Sequence, residues 1–451
     1  MKQSLILSLD IGSSSVRAAV YDGRAKPIRD LSVSIKHSFE NTSGGGSEMD
    51  VDECLARVIS AIDNVLDNAD RRNVEIKTVV MCAFWHSLVG VDARGEPTTK
   101  LLGWADTRSR EYTPILQKRF DESVTHNRTG AMFHSSFWTS KLLWLRKESP
   151  DIFAKTDKWL SFSDYAALKL FGEATTSVSM ASATGIFDQR KCGWDSELLR
   201  YLKISRVRLP SIISSDDTTF QLTAKFARRW PALMDANWFP AIGDGAADNL
   251  GSDCITKDKA ALMVGTSAAM RVAYFGEPPG QIPPGLWCYR VDRKRVIVGG
   301  ALSDGGNLYA FIKDRFKLRG DIDEQIMSRE TADELVVIPF FHGERSTGYD
   351  ENARGAIIGM TADHDGIDIL RAAMEGVAFR LDDIYSRLSE IAEIDTIIAS
   401  GGALRSSPVW TQIIANVLGH DLAVNDVAES SLRGAVLLAL ESIVTIRCSE
   451  S

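Results

Sequence analysis

A chain of 451 residues, 44% hydrophobic and 25% charged, is long enough for two or three globular domains. Its formal net charge of −8 leaves no basic footprint for a general nucleic-acid binder, and no window approaches the ~20 uninterrupted apolar residues of a membrane span. The six cysteines, at 54, 82, 192, 254, 288 and 448, form no C-x-x-C pair, which predicts reduced thiols in the cytoplasm.

The first apolar segment is too short for a secretory signal. "SLILSLD" and "VRAAVYD" read as two strands joined by the turn "IGSSS". "ENTSGGGSEMD" predicts a flexible surface loop. The apolar positions Val51, Leu55, Val58, Ile59, Ile62, Val65 and Leu66 then follow helical spacing with a polar back face. "KTVVMCAF" is a short buried strand, and strand and helix patterns alternate from there to "ESSLRGAVLLALESIV". Such alternation predicts α/β layers around mostly buried sheets. "GSSSVRAAVY" and "GTSAAMRVAY" share length and chemistry half a chain apart, and each sits between two strands. That duplication predicts two related domains facing each other, residues 1–240 and 241–451.

The repeated turns have the chemistry of a phosphate cradle. Gly12 lets a backbone approach a ligand, and Ser13, Ser14 and Ser15 add hydroxyls beside exposed N–H groups. Gly265, Thr266 and Ser267 repeat the design. Taken singly, each is equally well a hairpin with good turn residues; together they point to a nucleotide. There is no G-x-x-x-x-G-K-[ST] and no G-x-G-x-x-G after the first strand, which argues against a P-loop and a dinucleotide fold. Only the first copy has an acid before its glycine, Asp10 against Met263, and one carboxylate beside phosphates suits a largely hydrated Mg²⁺. The seven histidines lack H-x-x-x-H spacing, so no caged transition metal is expected. Gly401, Gly402 and Ala403 form a third small-residue turn, from strand to helix. In "FPAIGDGAADNLGS", Asp244 stands between two glycines at a helix start. It reads either as a cap or turn residue or as a base in a cleft.

Together these pieces resemble the FGGY family of carbohydrate kinases, over nearly the whole chain. "GAIIGMTADHDGIDILRAAME" is similar to the C-terminal signature, with "PFFHGERSTGYDENARG", "SGGALRSSPVWTQIIANVLG" and "ESSLRGAVLLAL" matching further blocks. "SFWTSKLLWLRKE" matches the N-terminal signature at Lys141 and Trp144 but has Trp138 where the family usually has Pro, Ser or Thr. The resemblance implies an actin-like ATPase fold with ribonuclease H-like topology: two domains on a cleft, sugar on the N-terminal side and ATP on the C-terminal side. It implies that Asp244 is the general base and that Asp10, with Asp244 beside it, orients Mg²⁺ through water. Arg17 and the two turns would line the phosphates, Gly305 and Gly306 would lie near the nucleotide, and Gly401, Gly402 and Ala403 beneath adenosine. His86, as a donor, and Trp104, Asp106 and Arg108 would hold the sugar, with His134 and Lys141 as weaker candidates. The gluconate kinase branch is the most similar in appearance. A sugar acid needs a cation, for which Arg108, His86 and Lys141 are the candidates. Xylulose, ribulose or another polyol stays open as acceptor, as does a homodimer. A non-catalytic sugar sensor or a filament-forming ATPase on the same fold is the alternative.

Overall fold

The computed structural model describes residues 5–72, 74–214, 220–329, 334–425 and 429–449. Strand β1 (Leu5–Ile11) is buried along its whole length, as a mostly apolar strand with neighbours on both sides is, and the burial includes Ser8 and Asp10. It pairs antiparallel with β2 (Ser15–Tyr21) and parallel with β4 (Ile76–Ala83). Beyond β2 lies β3 (Pro27–Lys36), an edge strand that buries only Leu31. The predicted helix α1 (Val51–Arg71) supplies the crossover to β4. Asp50 caps it by accepting from the amides of Asp52 and Glu53. Asn237–Trp238 and β5 (Ile242–Gly243) close the far side, both parallel to β4.

The second sheet repeats this order. β6 (Lys259–Val264) and β7 (Ala268–Phe275) form the hairpin, and β8 (Arg295–Leu302) lies antiparallel beyond β7. β9 (Thr396–Ser400) and β10 (Leu422–Val424) add in parallel on the other side of β6. The sequence repeat is therefore the hairpin β1–β2 and its copy β6–β7. The strand order of one sheet is thus repeated in the other, as in a duplicated ribonuclease H-like core.

Two features depart from a simple halving of the chain. The first sheet ends with β5, past residue 240. Then α2 (Asp244–Gly251) packs against the C-terminal helix α3 (Ser430–Ser449), which returns across β1 and β4. Leu432, Ala435, Val436 and Ala439 are buried in the first lobe's core. The Gly-rich stretch expected as a flexible loop is also ordered differently. Glu40–Asn41 and Ser47–Met49 form a small sheet with Leu101–Leu102. The glycines close a hairpin turn, with Gly45 at φ +86°, the Thr42 amide donating to the Gly46 carbonyl and the Gly46 amide to the Thr42 hydroxyl. The cysteines at 54, 82, 192, 254 and 288 are free thiols; the side chain of Cys448 lies outside the described residues. No helix among the described residues is long and apolar enough to cross a membrane.

Candidate active site

Both hairpin turns face one cleft between the lobes, lined by Gly12, Ser13 and Ser14 on one side and Gly265, Thr266 and Ser267 on the other. The Gly12 amide donates to the Ser15 carbonyl at 2.9 Å, and the Gly265 amide to the Ser267 carbonyl at 2.9 Å. Each turn is thereby closed on itself, with its hydroxyl side chains beside the cleft. Gly401 and Gly402 also line it. At φ +99°, a Cβ on Gly401 would come within 2.3 Å of the Val264 carbonyl oxygen, so only glycine fits.

Gly305 and Gly306 are not on the cleft wall; they buttress it. The Gly306 amide donates to the Gly265 carbonyl at 2.8 Å, and a Cβ there would sit 2.5 Å from that oxygen. Ala403 packs beside Gly306, and Ser15 begins β2 behind the first turn.

The floor is a network of charges. Arg17 bridges Asp10 and Glu429 through its two terminal nitrogens, while Arg271 pairs with Asp248, which also accepts from the Ser430 hydroxyl. Burial pushes the Asp10 carboxyl up from its ordinary value, and the Arg17 guanidinium opposes that shift. Asp248, one helical turn beyond Asp244, is thus committed to holding α2, β7 and α3 together.

Asp244 is the first residue of α2. Its Oδ1 accepts from the Gly245 amide at 2.8 Å. Burial, then the charge of Asp10, push its carboxyl up to about 6. The helix N-terminus does not offset those two effects. The flanking glycines are explained by Trp85. A Cβ on Gly243 would lie 1.9 Å from the indole, and one on Gly245 2.6 Å from it. The indole itself lines the cleft and donates from Nε1 to the Ser179 carbonyl at 3.2 Å.

At the other end of the cleft stand His86 and Trp104. His86 is buried at φ +68°, and its Nδ1 meets the Ala183 carbonyl at 2.7 Å. A carbonyl can only accept, so Nδ1 carries the hydrogen and Nε2 is left as an acceptor. Burial, then the positive charge of Arg345, keep the ring neutral. His86 Nε2 therefore presents an acceptor, and the expected donor role fails on the tautomer.

Asp106 and Arg108 do not reach the cleft. Asp106 is fully buried and accepts from the Ser47 amide at 3.1 Å, while Arg108 closes on Asp106 and on Glu48. Lys141 is equally unavailable. Its Nζ donates to the carbonyls of Ser135 and Ser136 at 2.6 and 2.7 Å, and burial lowers its pKa to about 7. Trp138 lies in the core and donates to the Ser87 carbonyl at 2.9 Å, bracing the residue after His86 from behind. The family-atypical indole thus acts on the cleft indirectly.

Cleft residues that the sequence did not single out include Trp85, Arg271, Trp287, Tyr289, Arg345, Arg405 and Glu429. Trp85 adjoins His86, and Arg345 and Glu429 fall inside recognised blocks, but nothing local marks their side chains as facing a ligand. Among the described residues there is no group of three or more His, Cys, Asp or Glu that could hold a metal by itself. Asp10 and Asp244 nevertheless fit Mg²⁺, a hard ion that needs only one or two carboxylates when water and phosphate complete its shell.

Two ribonuclease H-like lobes, facing hydroxyl-bearing turns and a buried aspartate define a phosphotransferase of the actin-like class. The chain belongs to the FGGY family of carbohydrate kinases, whose N-terminal domain matches residues 5–251 and whose C-terminal domain matches residues 260–442. It is a carbohydrate kinase, and the sugar kinases of this family use ATP. It is 26% identical to the gluconokinase of Bacillus subtilis (strain 168), over 97% of this chain and 87% of that one. Among solved structures, the gluconate kinase from Lactobacillus acidophilus superposes with a TM-score of 0.89 at 26% identity, covering 98% of this chain and 90% of that one. The ligand-bound xylulose kinase from the same organism gives a TM-score of 0.89 at 27% identity, with coverage of 98% and 90%.

Proposed function

We propose that this carbohydrate kinase transfers the γ-phosphoryl group of ATP to a sugar acid, gluconate to 6-phosphogluconate being the leading candidate. The observation that carries the reading is Asp244, a carboxyl on the cleft floor that burial pushes up to about 6. At neutral pH it is ionised yet basic enough to accept the proton of an attacking hydroxyl as the new P–O bond forms. Gly12 to Ser14 and Gly265 to Ser267 offer N–H and hydroxyl donors to the phosphates. Ser15, Gly305, Gly306 and Ala403 support those turns and the adenosine platform at Gly401 and Gly402. Arg17 lies beside them, paired with Asp10.

Asp10, with Asp244 close by, would hold Mg²⁺ through water. The bound ion neutralises charge on the β- and γ-phosphates. Trp104 offers its face to sugar C–H groups and His86 Nε2 accepts a hydroxyl, while Asp106 and Arg108 fix the segment carrying Trp104. Similarity to gluconokinases supports gluconate; equal similarity to a xylulose kinase supports xylulose, ribulose or another polyol as the alternative. A sugar sensor without catalysis is less favoured because Asp10 and Asp244 are both retained. We place the enzyme in the cytoplasm, acting on small molecules, with a homodimer left open.

The test is a coupled ADP-release screen over gluconate, xylulose, ribulose and glycerol, with Asp244→Asn alongside. Gluconate should give the highest kcat/KM, and the variant should lose at least ~10²-fold. A variant as active as wild type removes Asp244 from its role, and a preference for a neutral polyol replaces the substrate.

A further inference from the structure

Arg345 lines the cleft without an ion pair among the described residues, and of the other cleft cations Arg405 has a partner of its own. Arg17 is held by Asp10 and Glu429, Arg271 by Asp248, and Arg108 by Asp106 and Glu48, away from the cleft. Among the described residues, the Arg345 guanidinium has neither an ion pair nor a hydrogen bond. It lies over the Trp104 ring, 5.0 Å from its centroid. A half-buried guanidinium in this position lacks the anion that ordinarily accompanies it.

A second orphan stands beside it. Tyr289 is fully buried on the cleft wall, stacked on Trp287 at 4.4 Å, and its hydroxyl has no hydrogen-bond partner among the described residues. Buried hydroxyls are rarely left unpaired without a reason. Both side chains line the same cleft, and the Tyr289 ring lies 5.7 Å from that of His86.

The pair belongs to the sugar end. The positive charge of Arg345 acts on His86 and His134, whereas the cations acting on Asp10 and Asp244 are Arg17 and Arg271 respectively. Arg345 is also held in place by its loop. Ser346 exchanges hydrogen bonds with Ala301 at 3.0 Å in both directions, and the Tyr349 amide donates to the Arg345 carbonyl at 2.8 Å. A planar, positioned guanidinium beside a hydroxyl donor is suited to a carboxylate, which can take two parallel N–H bonds and a third O–H bond.

We propose that Arg345 and Tyr289 form the subsite that binds the carboxylate of the sugar acid, at the end of the substrate opposite the hydroxyl presented to Asp244. The inference rests on the sugar-acid reading above. In an aldonic acid the carboxylate and the terminal hydroxyl are the two ends of the chain, so the cation and the base must come from different walls. Here they do: Arg345 comes from the second lobe's 339–355 segment, and Asp244 from the helix that follows the first sheet.

The test is calorimetric binding of gluconate and of its uncharged analogue gluconamide, in the presence of a non-hydrolysable ATP analogue. It uses wild type, Arg345→Lys, Arg345→Gln and Tyr289→Phe. Wild type should bind gluconate ~10–10²-fold more tightly than gluconamide, the scale of a charge-assisted hydrogen-bonded pair. Arg345→Gln should bring that ratio close to one, Arg345→Lys should keep part of it, and Tyr289→Phe should reduce it several-fold.

A wild-type ratio near one, or an Arg345→Gln ratio equal to wild type, overturns the subsite. So does an Arg345→Gln variant that weakens both ligands equally. Those results leave the gluconate assignment standing if gluconate still drives ADP release. A wild type that phosphorylates only neutral polyols overturns both.

Discussion

At position 244 the same burial that suits the proposed base works against the fold. The carboxyl is raised from 3.8 to about 6, so the folded state holds its proton more tightly than the unfolded chain does. Stability contributed by this group is full below about pH 4 and lost as pH rises through about 6. The base becomes active over the same interval. For wild type, kcat/KM should fall about tenfold per unit as pH drops below about 6. Without nucleotide, Asp244→Asn should be more stable than wild type at pH 7, by about 2 kcal/mol, and its stability should vary less between pH 4 and 6. Urea unfolding at several pH values checks this; equal stability of the two proteins at pH 7 would show that the carboxyl is not strained.

Asp244 could be recognised in the sequence because two glycines and a helix start surround it. Their cause could not, since Trp85 lies more than 150 residues away along the chain and its indole occupies the space a Cβ would need. Residue type alone misled at Asp106 and Arg108. They have ligand-binding chemistry, but they satisfy each other and a backbone amide in the interior.

At the scale of elements, the 339–355 segment crosses from the second lobe to the first. The Glu351 carboxylate accepts from the Thr113 hydroxyl at 2.9 Å, the Ser135 amide at 2.6 Å and the Ser135 hydroxyl at 2.8 Å, with His134 Nε2 at 3.4 Å. This clasp ties the segment carrying Arg345 to the loop that Lys141 holds from its other side. Glu351→Gln keeps the shape but removes the charge and one acceptor. It should raise KM for the sugar ~3–10-fold, the usual cost of weakened charged hydrogen bonds. It should also increase amide hydrogen exchange at residues 134–136. Unchanged exchange there would mean that the clasp does not hold the loop. The segment was recognisable as a family block, yet its clasp joins residues 216 positions apart. No local periodicity encodes such a contact. The hairpins β1–β2 and β6–β7 were readable because their chemistry lies within ten consecutive residues.

For the molecule as a whole, the duplicated sheets were legible as a repeat, but the closure of the chain on itself was not. Helix α3 begins at Ser430 and packs back on the first lobe, crossing the helix that starts with Asp244. The two helices meet at glycines. A Cβ on Gly434 would lie 1.8 Å from the Ala247 carbonyl oxygen, and one on Gly251 1.9 Å from that of Ser430. The crossing is further fixed by Arg433 donating to the Gly251 carbonyl, and by the Ser430 hydroxyl on Asp248. The position of the Asp244 carboxyl is therefore set partly by α3.

Gly434→Ala must push the helices apart, at a cost of about 1–3 kcal/mol for an overpacked contact. Because α2 moves with its first residue, kcat should fall ~10-fold or more with gluconate, since small displacements of a reacting group are expensive. Binding of a non-hydrolysable ATP analogue should change less, because the two phosphate turns belong to other strands. Urea denaturation and steady-state kinetics on the same preparation separate the two effects. A variant with lowered stability but wild-type kcat would show that the crossing holds the lobes together without positioning Asp244.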